Sequence, residues 1–359
     1  MRLIVQFIIS VTFVLSSLGC NSSEPRNNDP EQASRPAHHT KDGFRNLYTE
    51  RIGKGPFAFL KMKFFGDEPF ADQESQSHTI PIAKPLFSKL EQPGEQAQIT
   101  WLGHSSFLIQ YHGINILTDP ILSTRASPVS FAGPKRLVDM PIAYENLPDI
   151  DYVIISHNHY DHLDKRTISM LGNQPYYLVP LKLKDWFINE GIENNRVQEF
   201  DWWDQQSFMQ FSVTATPSQH WSARGFFDRY DSLWAAWHIE IGDFSFWFGG
   251  DTGYNDIQFK EIGDKFGAID LALIPIGAYA PRWFMKQQHV DPDEAIQIHK
   301  DIRAKKSIGM HWGTFQLTAE SIREPVERLE AAVKAGTIAE DEFITLAIGE
   351  TLFFDPPTD

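Results

Sequence analysis

The sequence predicts an α/β fold of two mixed sheets packed face to face with helices on the outside. Three observations carry this expectation. Short apolar runs recur as strand meanders and as strand–helix units in each half of the chain. One such run, Tyr152-Val153-Ile154-Ile155-Ser156, ends in a loop where three imidazoles and a carboxylate fall within six residues. That is where α/β sheets carry their sites, at the carboxyl end of a strand. Finally, 42% hydrophobic residues in a chain of 359 suffice for a sizeable core.

Taken in order, the chain begins with Arg2 as the only charge ahead of a mostly apolar run, Leu3 to Leu18. Its length fits a signal segment better than a membrane span. It ends in Leu18-Gly19-Cys20, which resembles the close of a bacterial lipoprotein signal, with Ser17 where leucine is commoner. Residues 1–20 are therefore set outside the fold, with Cys20 as the expected lipidation site; a plain signal or an uncleaved anchor is the alternative. Cys20 is the single cysteine, so there is no intramolecular disulfide and no CxxC knuckle. Residues 21–45 are polar and almost free of apolar side chains, which predicts a disordered linker, with His38 and His39 as linker polarity rather than ligands. Residues 46–98 carry Phe57, Phe59, Phe64, Phe65, Phe70 and Phe87 without a clean period and are expected to pack on the domain, lipid contact being the alternative.

The compact domain is expected over 99–359. Ile99–Leu102, Ser106–Ile109 and Ile114–Leu117 read as a meander broken by Gly103 and His112-Gly113, and Asp119-Pro120 ends the third strand. After the histidine loop, helices over Lys165–Leu171 and Lys182–Glu190 alternate with strands over Tyr176–Val179 and Gln198–Phe200. Antiparallel runs follow at Phe208–Ala215, Ala235–Ile241 and Phe244–Phe248. A strand from Leu271, a helix over Pro292–Lys300, a strand at Ser307–Met310 and a helix over Ala319–Ala335 close the pattern.

The chemistry centres on Ser156-His157-Asn158-His159-Tyr160-Asp161-His162-Leu163-Asp164. His157 and His159 are two apart, so in extended backbone their rings share one side and can share one ion. Asp161 and His162 follow a turn and can face a second. Imidazole and carboxylate without thiolate is a donor set suited to zinc, iron or manganese. Three further positions sit just after expected strands: His220 in Thr216 to Trp221, Asp251 in Gly249 to Gly253, and His311 in Met310 to Gly313. Together these residues suffice for two ions, with Asp251 the natural bridge because one carboxylate can give an oxygen to each. His238 and His299 lie inside strand and helix patterns and read as structural, while His104 either supports the site or closes a turn. His289, before Asp291-Pro292, can face the cleft, with Tyr279, Arg282 and Trp283 as a candidate substrate wall.

A formal charge of −15 argues against a broad nucleic-acid surface, so no nucleic-acid partner is expected. There is no GxSxG elbow and no GxxxxGK[ST] loop, which removes support for serine hydrolysis and nucleotide-triphosphate chemistry.

The assembled HxHxDH motif, His157 to His162, with His220, Asp251 and His311, resembles the metallo-β-lactamase superfamily. More narrowly, Trp101 to Ser105, Thr118 to Pro120, Ser123 to Pro128, Gly133 to Arg136, Asp201 to Trp203, Ile274 to Asp291 and His311 to Thr314 resemble the N-acyl-phosphatidylethanolamine-hydrolysing phospholipase D family. The resemblance implies a four-layer αβ/βα sandwich with two zinc ions. His157, His159 and His220 would hold one, and Asp161, His162 and His311 the other, with Asp251 between them. It also implies that Tyr160 and His289 contact a membrane phospholipid, and that the products are an N-acylethanolamine and a phosphatidic acid. On this reading Asp161, Asp251 and His289 are the catalytic candidates. Two close cations would make hydroxide available near neutral pH to attack phosphorus in line, His289 binding the phosphate or protonating the leaving alkoxide. The expected location is outside the cytoplasm, anchored through Cys20 on the periplasmic or outer side of a bacterial membrane. One rival is another metal-dependent hydrolase of the same fold, a lactonase or soluble phosphodiesterase. The other is a non-catalytic lipoprotein, whose signature would be a missing ligand; none is missing.

Overall fold

The computed structural model describes residues 35–50, 61 and 70–354. Among these, two seven-stranded mixed sheets form the frame. The first contains β1 (Ala97–Gly103), β2 (Ser106–Tyr111), β3 (Ile114–Thr118), β4 (Tyr152–Ile154), β5 (Tyr176–Pro180) and β6 (Val197–Phe200). The second contains β7 (Gln205–Ser207), β8 (Phe211–Thr216), β9 (Ala236–Ile241), β10 (Phe244–Phe248), β11 (Ile269–Pro275), β12 (Ala304–Met310) and β13 (Phe343–Ile344). β14 (Thr351–Phe354) returns to the first sheet beside β1.

Each sheet begins antiparallel and turns parallel, at β3 to β4 in the first and β10 to β11 in the second. Parallel neighbours need crossovers. α1 (Phe87–Glu91) precedes the sheets, α2 (Lys165–Leu171) and α3 (Lys184–Asn189) serve the first, and α4 (Gln258–Phe266), α5 (Arg282–Met285), α6 (Pro292–Asp301) and α7 (Glu324–Lys334) serve the second. Successive strand residues face opposite ways. Trp101 and Phe107 thus join the core between the sheets with Trp237 and Phe246, whereas Leu102 and Leu108 join the core under the helices with Ile168 and Phe187. Each such side chain, fully buried, contributes about 1.5–3 kcal/mol or more. Two covered faces explain why β1 is buried along its whole length. The expected sandwich is the observed one.

The differences are local. Of the run expected as one strand over Phe208–Ala215, residues 208–210 form the turn between β7 and β8, and the strand itself starts at Phe211. The last helix starts at Glu324 rather than Ala319, because Thr318 and Glu320 hold a neighbouring loop instead. α4 was not expected at all: its composition is polar on average, and of its four buried residues, Gln258, Phe259, Ile262 and Gly263, only two carry large apolar side chains.

The linker expected over 21–45 has given way to packed chain by Ala37. Phe44 is 5% exposed within the core between the sheets, its N–H bonded to the carbonyl of Tyr230. The composition of 37–45 hides this because polar anchors, not apolar side chains, hold most of it. Of the aromatic lead-in, Phe70 packs against Phe284 and Met285 while Phe87 stays exposed. Residues 1–20 with Cys20, and Phe57, Phe59, Phe64 and Phe65, lie outside the described residues. Among the described residues, no helix is long and apolar enough to cross a membrane.

Candidate metal centre

The histidine loop leaves β4, an inner strand of the first sheet, and is fixed by a carboxylate to which sequence reasoning gave only a strand-ending role. Asp119, fully buried at the end of β3 with a positive φ, accepts hydrogen bonds from the Ser156 N–H at 2.7 Å and from the Ser156 hydroxyl. Its Oδ2 also lies 2.6 Å from His162 Nδ1. Occupying Nδ1 this way turns Nε2 of His162 toward the cleft and raises its basicity. The signal was available in Thr118-Asp119-Pro120, but the partners are about forty residues on and meet only through the parallel pairing of β3 with β4.

Two groups of donors converge in the cleft. In the first, His157 Nε2 lies 2.8 Å from His159 Nδ1, which lies 3.3 Å from His220 Nε2. The far nitrogens of His157 and His220 are held by the Ser156 hydroxyl at 2.8 Å and the Gln288 carbonyl at 2.9 Å. In the second, His162 Nε2 and His311 Nε2 stand 3.3 Å apart, each 3.5 Å from Asp161 Oδ2. Asp251 lies between the groups. Its Oδ2 is 3.1 Å from His162 Nε2 and 3.9 and 3.8 Å from the Nε2 atoms of His157 and His220, while Oδ1 is 3.0 Å from His311 Nε2. All seven residues expected to bind metal are therefore brought together. His104 supports them: its Nε2 is 3.0 Å from Asp161 Oδ2, and its ring lies 3.9 Å from that of His311.

The donor set fits cations. Burial holds His157 well below the usual imidazole range, His159 at about 3 and His220 at about 4, which favours the neutral imidazole, the form able to ligate a metal. In the other group burial opposes charge, but the carboxylates of Asp251 and Asp161 outweigh it, drawing His311 up to about 9 and His162 well above the usual imidazole range. Burial would likewise raise Asp161 and Asp251, yet the surrounding imidazoles hold both well below the carboxylate range. The pocket therefore concentrates negative charge and asks for positive charge. Asp251 Oδ1, although 3.0 Å from His311 Nε2, makes no well-formed hydrogen bond, as suits an oxygen reserved for an ion, and His289 Nδ1 beside the centre is also buried without a partner.

His289 is buried with Nδ1 3.9 Å from Asp251 Oδ2, beside the centre. Arg282 donates to the His289 carbonyl at 2.7 Å and to Glu294 at 2.5 Å, and Tyr279 donates to Glu324 at 2.8 Å. Both thus hold the loop they were expected to present as a wall; Trp283 remains 54% exposed. Glu320 accepts from the N–H groups of Ala278 at 2.6 Å and Ala280 at 3.1 Å, another buried support. The Tyr160 hydroxyl is engaged by the Arg224 carbonyl at 2.8 Å, and its ring lies 4.1 Å beneath that guanidinium. Arg224 also donates to the carbonyls of Asn158 and Leu163 at 2.8 Å, stapling both ends of the histidine loop. Sequence reasoning missed it because a lone loop arginine carries no motif. His238 stacks on Phe266 at 3.8 Å and His299 bonds Ser307 at 2.8 Å, so both are structural as expected.

A family model described as Beta-lactamase superfamily domain matches residues 114–312. N-acyl-phosphatidylethanolamine-hydrolyzing phospholipase D 1 of Caenorhabditis elegans is 44% identical over 263 residues, 70% of this chain and 74% of the worm protein. The mitochondrial enzyme of the same name from Saccharomyces cerevisiae is 36% identical over 264 residues, 71% of this chain and 56% of the yeast protein. Among solved structures, a metallo hydrolase of the archaeon Ignicoccus hospitalis superposes with TM-score 0.54 at 20% identity, covering 72% of this chain and 99% of its own, a likeness of fold.

Proposed function

The chain belongs to the beta-lactamase superfamily and, within it, to the family of the N-acyl-phosphatidylethanolamine-hydrolyzing phospholipases D; from that premise we propose that this metal-dependent hydrolase cleaves N-acyl-phosphatidylethanolamine. Cleavage on this reading is of the phospholipase D type. A water oxygen bonds to phosphorus, the bond from phosphorus to the ethanolamine oxygen breaks, and the alkoxide takes up a proton. The products are a phosphatidic acid and an N-acylethanolamine. The observation that carries the proposal is the pairing of two donor groups through one buried carboxylate, Asp251, in a chain 44% identical to a protein of that name.

His157, His159 and His220 would hold one ion, and Asp161, His162 and His311 the other, with Asp251 shared; zinc suits the nitrogen-rich set. Two such ions, when bound, supply Lewis acidity toward phosphoryl oxygens and activate water near neutral pH. The protein's own part is positional. Asp119 and the Gln288 carbonyl fix the rings of His162 and His220, and Arg224 fixes the loop carrying four of the donors. His289, its Nδ1 free of other partners, would hydrogen-bond the phosphate, and Tyr160 would border the lipid. The location we infer is an exported enzyme anchored at Cys20 beside its substrate, which requires more than one acyl chain to hold firmly.

The test is mass spectrometry of lipids after incubating the zinc-loaded full chain, in mixed micelles, with N-acylated and plain phosphatidylethanolamine. Phosphatidic acid from the N-acylated lipid is the expected result. A metal-replete enzyme releasing none from either lipid sinks the proposal and points to soluble esters.

A further inference from the structure

A second cluster of metal-type donors lies outside the centre and shares no residue with it. His38 and His39, on the packed N-terminal strap, both direct Nε2 at one carboxylate: His38 is 2.6 Å from Asp201 Oδ1 and His39 is 2.7 Å from Oδ2. Adjacent residues in extended backbone point apart. Here the turn closed by the Thr40 N–H on the Gly43 carbonyl, at 2.8 Å, accompanies two rings set edge to face at 4.6 Å. His38 stacks on Trp202 at 4.3 Å, so that ring is held in place. The side chains of His39 and Asp201 are 23% and 17% exposed, leaving one side of the cluster open to water.

We propose that His38, His39 and Asp201 form a third metal site, which takes a single divalent cation of the zinc type and clasps the strap to the domain. Two imidazoles and one carboxylate with an open side make a four-coordinate set completed by water, and the imidazoles select against magnesium and calcium. Nitrogen and oxygen ligands of one tetrahedral ion with bonds of about 2.0 Å stand about 3.3 Å apart. The ring nitrogens and the carboxylate oxygens therefore part by about 0.6 Å when the cation enters, a shift that the partly open His39 and Asp201 take up while His38 stays on Trp202. The clasp acts at a distance through the same strap. Asn46 donates to the His220 carbonyl at 2.9 Å and accepts from the His220 N–H at 3.1 Å, so an ion at the clasp steadies the backbone of a donor in the main centre.

A clasp made of hydrogen bonds alone forecasts something different, and one substitution separates the two. His39→Gln keeps an N–H donor within reach of Asp201 but removes a ligand of zinc strength. The full chain, purified in detergent and saturated with Zn2+, is passed through a desalting column, assayed for zinc by mass spectrometry and titrated against a chromophoric chelator. The expected result is one more equivalent of zinc per chain in the wild type than in His39→Gln and Asp201→Asn, or a loss of at least about tenfold in the affinity of that one equivalent. Equal stoichiometry and affinity in the wild type and His39→Gln overturns the site. Because the readout is a difference between variants, it stands whether or not the chain turns over lipid.

Discussion

Asp251 ties the two donor groups together, since its two oxygens face donors of both. Asp251→Asn keeps the volume and removes the charge. Metal content is expected to fall by at least one equivalent and lipid turnover by about a hundredfold or more, together. Wild-type turnover at reduced metal content would remove the bridging role. The ligand residues were legible because HxHxDH is compact and because His220, Asp251 and His311 each follow a recognisable strand. Asp119, Arg224 and Asn46 were not. Each acts through a partner far along the chain, which neither the Thr118-Asp119-Pro120 stretch nor a lone arginine or asparagine points to.

The elements that matter are the loops at the carboxyl ends of the strands, and their shapes are set by backbone contacts more than by the ligands. A Cβ on Gly250, the residue before Asp251, would come within 2.4 Å of Ser156 Cβ, and its φ of +55 disfavours any side chain. Gly250→Ala is therefore expected to push the Asp251 loop off the histidine loop, lowering stability by about 1–3 kcal/mol and weakening metal retention. Thermal denaturation together with metal analysis checks this, and an unchanged value for both would mean that the two loops part without consequence. The same scale shows where reading the sequence stopped. The strap from Ala37 was taken for linker because disorder was judged on apolar content, whereas Phe44 and three polar anchors suffice to dock it. α4 escaped because a helix with one narrow buried face looks polar in bulk.

At the scale of the whole molecule, the class was legible because each half repeats the same change, meander to crossover, and helical crossovers between parallel strands leave few architectures open. The chain as a whole also poses the question of where it works. If Cys20 is lipidated, cells fed labelled palmitate will yield labelled protein in the membrane fraction, and Cys20→Ser will lose the label; label retained in that variant would discard the anchor. The pairing of Ala97 with Phe354 bears on how such a chain is made. β1 is among the first strands synthesised and is buried along its length, yet one edge of it stays bare until residue 354 has emerged. A nascent chain therefore carries an unpaired apolar edge from the completion of β1 at Gly103 until β14 has emerged at Phe354, a template for mispairing with its neighbours. Threading the polypeptide through a translocon before its sheets close would keep that edge from meeting copies of itself, and would tie the order of synthesis to the site of folding.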